Sequence, residues 1–95
     1  MYASVRQYRT SDVSEIARQI NEGFLPLIRD VSGFSGYYVV DGGGGTLITV
    51  TLADNQAGAD ASAERAAGWI QENPNVAQLI EGSPNVTNGE VVAQA

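Results

Sequence analysis

Residues 34–52 read FSGYYVVDGGGGTLITVTL. Both ends of this segment are rich in β-branched and aromatic residues, which favour strands. Asp41 and the glycines of residues 42–45 predict a turn between them, so the segment predicts an antiparallel hairpin. Four consecutive glycines lose the most backbone entropy on ordering and bring no side-chain contacts. We therefore expect the hairpin tip to be mobile and to carry no functional site.

A strand and a long helix are predicted before this hairpin. Residues 2–9 contain valine and tyrosine in loose alternation and indicate a first strand. Apolar residues then recur at spacings of three and four over residues 13–28, as one stripe of a helix. Because Pro26 cannot donate a hydrogen bond to the carbonyl group of Glu22, we expect a kink or a break there.

A second helix and a last strand are predicted after the hairpin. The helix is capped by Asp54 or Asn55 and ends at Asn73 and Pro74. Its predicted core side consists of Ala59, Ala63, Ala66, Ala67 and Ile70. A short helical piece over residues 76–80 and a turn at residues 82–84 lead to a strand over residues 86–93.

The order βαββαβ is that of ferredoxin-like folds, in which two helices cover one face of a four-stranded antiparallel sheet. We therefore expect residues 1–95 to form a single α+β domain. A sheet face that meets water should be polar, yet the predicted strands carry apolar residues on both sides. No further element of the chain is available to cover the second face. We expect a homodimer in which sheet face packs on sheet face.

The charge and the missing residue types restrict the function. A net charge of −6 disfavours nucleic acid and anionic membrane surfaces as partners. No stretch approaches the ~20 apolar residues of a membrane span, and the start of the chain lacks the apolar run of a signal peptide. We expect a cytoplasmic protein with no membrane partner. The absence of histidine and cysteine excludes Ser–His and Cys–His nucleophile pairs, and the scattered acidic residues show no metal-ligand spacing.

Over essentially its whole length the chain resembles the antibiotic biosynthesis monooxygenase-like proteins of the dimeric α+β barrel superfamily. The resemblance rests on residues 2–9, 24–28, 33–37, 66–70 and 89–92. It implies two sheets that meet as a barrel, and a pocket between sheet and helices in each subunit. Members include monooxygenases without metal or organic cofactor, haem-degrading enzymes and many proteins of unknown function. The axial histidine of the haem-degrading members has no match here, and we expect no cofactor.

Seven residues are candidates for such a pocket: Asn21, Trp69, Tyr8, Tyr37, Tyr38, Arg6 and Asn73. Trp69 and Asn73 are predicted at one edge of the second helix's apolar stripe, where a large ring can roof a cleft. The amide of Asn21 borders the apolar side of the first helix and could orient a ligand carbonyl or phenol. A tyrosine together with Arg6 would suit a phenolate or enolate. The competing interpretation is that the aromatic rings fill the core and that the amides are exposed or donate hydrogen bonds to nearby backbone carbonyl groups.

Two functions remain open. The first is a dimeric module without catalysis, which binds a small apolar or aromatic ligand or packs its cavity shut. The alternative is a cofactor-independent monooxygenase that acts on an aromatic or quinol-like substrate. An open cavity with at least two converging polar groups would favour binding or catalysis. A cavity filled by Trp69, Phe24 and the tyrosines would favour the structural interpretation.

Overall fold

Strands and helices follow the order βαββαβ along residues 1–95, all of which the computed structural model describes. The strands are β1 (Tyr2–Thr10), β2 (Phe34–Gly43), β3 (Thr46–Ala53) and β4 (Ile80–Glu90). The helices are α1 (Val13–Gln19), a π-helical turn (Ile20–Phe24), α2 (Leu25–Ile28), α3 (Gln56–Glu72) and α4 (Pro74–Ala77). The sheet has the order β2-β3-β1-β4, and every neighbouring pair is antiparallel. This confirms the predicted ferredoxin-like α+β fold.

The first helix begins and breaks where the sequence predicts. A carboxylate oxygen of Asp12 accepts a hydrogen bond of 3.1 Å from the backbone N–H of Glu15, which caps α1. The helix then widens into the π-helical turn, in which the N–H of Leu25 donates to the carbonyl group of Ile20. The next residue, Pro26, has no N–H to continue the α-helical pattern. The wide turn is the form that the expected break takes.

One face of the sheet packs against the helices. Along β3 the buried positions alternate with partly exposed ones, as a strand covered on one side requires. The helices contribute Ile16, Ile20, Phe24, Ile28, Trp69 and Val76 to the core, and the sheet contributes Tyr8 and Leu47. None of the helices combines the length and the hydropathy that crossing a membrane requires.

No helix covers the other face of the sheet. Register pairs Tyr38 with Val50 and Val5 with Val50, so these side chains share that face. Tyr38 is 59% exposed, and Val5 and Val40 are exposed as well. An apolar surface therefore extends over β2, β3 and part of β1. We call it the open face, and it consists of Val5, Tyr38, Val40, Ile48, Val50 and Leu52.

The hairpin tip is not free along its whole length. The N–H of Thr10 donates a hydrogen bond of 2.9 Å to the carbonyl oxygen of Gly45. A Cβ atom added at Gly45 would lie 2.9 Å from the carbonyl oxygen of Thr10, and the φ of Gly45 is +81°. Gly45 therefore packs on the end of β1, whereas a Cβ atom added at Gly43 or Gly44 would meet nothing within 4 Å.

The core side of α3 differs from the predicted one. The buried residues are Gly58, Ala59, Ser62 and Trp69, and Ala67 is exposed. Because a tryptophan ring buries far more area than an alanine methyl group, Trp69 rather than Ala67 turns towards the sheet. The helix is capped by the side chain of Asn55, which accepts from the N–H of Gly58 at 2.9 Å.

The last strand is also placed differently. It runs from Ile80 to Glu90 and not over residues 86–93, so the predicted turn at residues 82–84 lies inside it. Its pairing with β1 shifts register between Gln7 and Arg9, where Gly82 has a φ of +70°. A glycine with positive φ permits such a bulge. Pro84 is tolerated because β4 is an edge strand, where a missing N–H breaks no ladder.

Candidate functional site

A narrow cavity lies between the sheet and the two long helical segments. Its volume is about 20 Å³, which is roughly the space of one water molecule. Eleven of its twelve lining residues are hydrophobic. The lining comprises Tyr8, Ile16, Ile20, Phe24, Tyr37, Leu47, Thr49, Ala66, Trp69, Ile70, Val76 and Ile80. In this form the cavity is filled by its own aromatic side chains, which is the arrangement expected for the structural interpretation, and a ligand would need a lining side chain to move.

Three aromatic rings form a row along this cavity. The centroids of Phe24 and Trp69 are 5.3 Å apart with the ring planes tilted by 44°. Phe24 also meets Tyr37 edge to face, again with centroids 5.3 Å apart. The row joins the π-helical turn to α3 on one side and to β2 on the other, and edge-to-face pairs of this kind add to the stabilisation from buried area.

The polar atoms of the cavity lie on its sheet side. Tyr8, Tyr37 and Thr49 project from three neighbouring strands onto the helix-covered face. Burial and, to a smaller extent, the neighbouring Tyr8 raise the pKa of Tyr37 to about 12, although Thr49 and Arg6 act in the opposite direction. Tyr37 therefore keeps its proton at neutral pH. Its hydroxyl group can exchange hydrogen bonds with a ligand oxygen, but it is a poor base.

Two of the predicted tyrosines and the tryptophan line the cavity. Tyr8 is 7% exposed and Trp69 is 6% exposed, and Tyr37 lines the same cavity from β2. Trp69 was expected at the edge of the apolar stripe, and the structure places it inside the core. Tyr38 points to the opposite face of the sheet, as the alternation of a strand requires, and it belongs to the open face and not to the cavity.

The remaining candidates lie outside the cavity lining. The exposed side chain of Asn21 donates 2.9 Å to the carbonyl oxygen of Ala17, one turn earlier. The amide of Asn73 donates 2.7 Å to the carbonyl oxygen of Trp69 at the end of α3. Arg6 is half-buried on the helix-covered face and acts on Tyr37 through its charge. Asn21 was predicted to border the ligand groove. Its side chain is instead exposed, and its amide donates to a backbone carbonyl group of its own helix.

A second concavity lies at the free edge of β2. This open groove has a volume of about 270 Å³ and is bounded by Leu25, Ile28, Arg29, Phe34, Gly36, Tyr37 and Tyr38. It is wide and shallow, and its only charged side chain is Arg29. No group of three or more acidic side chains lies close enough together to hold a metal ion.

Sequence reasoning missed the polar contribution of Thr49. The signal was present, because Thr49 shares its strand parity with Leu47 in a strand that alternates cleanly. Without the register of β3 against β1 and β2, that parity could not be assigned to the helix-covered face. The structure supplies the register by pairing Thr49 with both Arg6 and Val39.

Comparison with known proteins gives a fold. No protein-family model matches the sequence, and no curated protein matches it either. A protein of unknown function from Nitrosomonas europaea, NE2512, superposes with a TM-score of 0.80 at 21% identity, covering 99% of this chain and 91% of that one.

Two Streptomyces oxygenases share the same architecture. A monooxygenase from the gene ActVA-Orf6 of Streptomyces coelicolor, solved with the ligand nanaomycin D, gives a TM-score of 0.73 at 12% identity over 98% of this chain and 92% of that one. SnoaB, a cofactor-independent oxygenase from Streptomyces nogalater, gives 0.71 at 9% identity over 98% and 94%. Antibiotic biosynthesis monooxygenase-like structures match with TM-scores between 0.71 and 0.74. The chain therefore has the ferredoxin-like βαββαβ fold of the antibiotic biosynthesis monooxygenase-like proteins.

Proposed function

We propose that the protein is a homodimeric module whose cavity binds a small aromatic molecule with one hydroxyl or carbonyl group, without catalysing its conversion. The observation that carries this proposal is the cavity itself. The lining residues from the helices are apolar, and three of those from the strands, Tyr8, Tyr37 and Thr49, carry hydroxyl groups. Binding sites for small molecules commonly combine an apolar lining with a few polar groups that orient the ligand.

The protonation of Tyr37 favours binding over catalysis. With its pKa raised to about 12, the phenol remains a neutral donor and acceptor across the physiological range. A general base works best when its pKa lies near the working pH. The chain also has no histidine or cysteine to take that role, so the polar side of the cavity is suited to orienting a ligand oxygen.

The open face supports a homodimer. Three exposed apolar side chains, Val5, Tyr38 and Val40, lie on this side of the sheet beside the partly exposed Ile48, Val50 and Leu52. An apolar surface of this extent on a small protein typically marks an interaction site. A second copy with the same surface would cover it and bury the ~1,000 Å² or more expected of a biological interface.

The proposal is tested by titrating the protein with α-naphthol in a calorimeter. Tyr37→Phe removes the hydroxyl group from the cavity, and loss of one hydrogen bond should weaken binding roughly fivefold. Tyr38→Phe is the matched control, since it removes the same group from the opposite face and should leave the affinity unchanged. Absence of binding to the wild-type protein, or equal effects of the two substitutions, would reject the proposed site.

A search for a co-purified ligand complements the titration. Denaturing extraction followed by mass spectrometry should release an aromatic compound of low polarity from the wild-type protein and less of it from Tyr37→Phe. A compound recovered equally from both proteins would not be bound through the Tyr37 hydroxyl group.

Monooxygenase activity is the second candidate, favoured by the shared fold with the Streptomyces coelicolor monooxygenase that was solved with nanaomycin D. In that case the cavity would bind an electron-rich aromatic or quinol-like substrate beside Trp69. Oxygen uptake with dihydroxynaphthalene, above the rate in protein-free buffer and reduced in Tyr37→Phe, would support this function. Uptake equal to the buffer rate would exclude it for this class of substrate.

A further inference from the structure

The cavity cannot admit an aromatic ligand in its present form. Its volume of about 20 Å³ is close to that of one water molecule, so at least one lining side chain must move. Phe24, Ile16 and Val76 are each 1% exposed and are enclosed on all sides. Protein interiors of this density do not yield without a local rearrangement, and these three residues are unsuited to move first.

The indole ring of Trp69 is held differently. Its N–H makes no hydrogen bond within the chain, so no polar contact has to be broken when it moves. The edge of the ring faces Gly23. A Cβ atom added to Gly23 would lie 3.3 Å from both Nε1 and Cζ2 of Trp69, so the indole partly occupies the space that a side chain at position 23 would take.

Gly23 lies on the surface of the π-helical turn, between Ile20 and Phe24. No side chain at this position separates the indole edge from solvent. The backbone of Gly23 does not have a positive φ, so the local conformation does not itself demand glycine. The contact with Trp69 is thus the structural reason for a glycine here.

We propose that Gly23 controls access to the cavity, because the missing side chain leaves space on the solvent side of the Trp69 indole edge, through which the ring moves outward when a planar ligand enters. The inference rests on the proposed function for the identity of the ligand, but the movement of Trp69 stands on the contact with Gly23 alone. A side chain at position 23 would fill that space and hold the indole inward. Gly23 is therefore a residue that determines which ligands enter, and it does not touch the ligand.

The fluorescence of Trp69 tests this directly, because the chain has one tryptophan. Acrylamide quenching should fall in Gly23→Ala, because the added methyl group obstructs the outward movement of the indole. Gly68→Ala is the matched control. It makes the same change at a partly exposed position of α3, where an added Cβ would meet nothing within 4 Å, and it should leave the quenching unchanged.

Binding of α-naphthol should weaken about tenfold in Gly23→Ala and not in Gly68→Ala. Reduced quenching in Gly23→Ala without any naphthol binding by the wild-type protein would support the movement of Trp69 and reject the proposed function. Quenching that is unchanged or increased in Gly23→Ala would overturn the inference.

A Trp69→Phe background covers the case in which Gly23→Ala folds poorly. Phenylalanine lacks the indole Nε1, and the atoms that meet the new methyl group are gone. The loss of melting temperature caused by Gly23→Ala should then shrink to that of Gly68→Ala. A loss that persists in this background would show that the methyl group at position 23 contacts a residue other than Trp69, and would overturn the inference.

Discussion

The ring centroids of Phe24 and Trp69 lie 5.3 Å apart, and the same distance separates Phe24 from Tyr37. This contact links the π-helical turn to α3, two segments that are separated by the whole hairpin in sequence. All three rings also line the cavity between sheet and helices. The stability of the domain and the closure of its cavity therefore depend on the same side chains.

Trp69→Ala should destabilise the protein by about 3–5 kcal/mol, the usual cost of truncating a buried aromatic side chain. Trp69→Phe should keep the fold and cost less, because much of the buried area survives. Urea denaturation followed by circular dichroism measures both. Equal losses for the two variants would mean that ring burial at position 69 contributes little.

Stability should decrease above pH 10. In the unfolded chain Tyr37 ionises near its ordinary pKa of 10.0, whereas in the folded protein the pKa is about 12. Between these values the unfolded state has released a proton that the folded state retains. The free energy of unfolding therefore falls by about 1.4 kcal/mol per pH unit in this range and is unaffected below it.

Tyr37→Phe should remove that component of the pH dependence, while Tyr38→Phe should retain it. Thermal unfolding at neutral pH and at alkaline pH measures the difference. A wild-type slope that survives unchanged in Tyr37→Phe would contradict the burial of the Tyr37 hydroxyl group.

Asn21→Ala should change stability by no more than about 0.5 kcal/mol, because the Asn21 side chain is exposed and water can replace its bond to Ala17. Asn73→Ala should cost more, about 1 kcal/mol, because the half-buried amide satisfies the carbonyl group of Trp69 near the end of α3. Chemical denaturation compares the two. A larger loss for Asn21→Ala would place that amide in a structural role that its exposure does not indicate.

The open face should make the protein a dimer at micromolar concentration. Val50→Glu puts a charge in the middle of this surface and should produce a monomer, since an unpaired buried charge is strongly unfavourable. Gln71→Glu introduces a charge at an exposed polar position on α3, away from the open face, and serves as the control. Multi-angle light scattering gives the masses, and a wild-type mass of 10.0 kDa would refute the dimer.

Much of this fold could be predicted from local pattern. The cap at Asp12, the break before Pro26 and the alternation of β3 each follow from chemistry within a few residues. The start of β4 could not be predicted in this way. Gly82 and Pro84 are typical of a turn, and only the pairing of Ile80 with Thr10 shows that the chain is already extended there.

The site was less predictable than the fold, because a helix of small residues has no sharply defined buried side. Alanine is tolerated on either side of α3. The predicted core side therefore included Ala67, which is exposed, and Ala63, which is only partly buried. The bulk of Trp69 decides the rotation of the helix. Asn21 illustrates the same limit, since its position beside apolar residues did not reveal that its amide bonds back to Ala17.

A titration with α-naphthol followed in proton–nitrogen correlation spectra tests the central claim, that this cavity is the binding site. Binding in the cavity should produce saturable shifts of the Trp69 indole N–H and of the backbone amides of Thr49 and Ile16, while Arg29 and Phe34 at the edge groove stay unchanged. Shifts confined to the edge groove, or none that saturate, would contradict it.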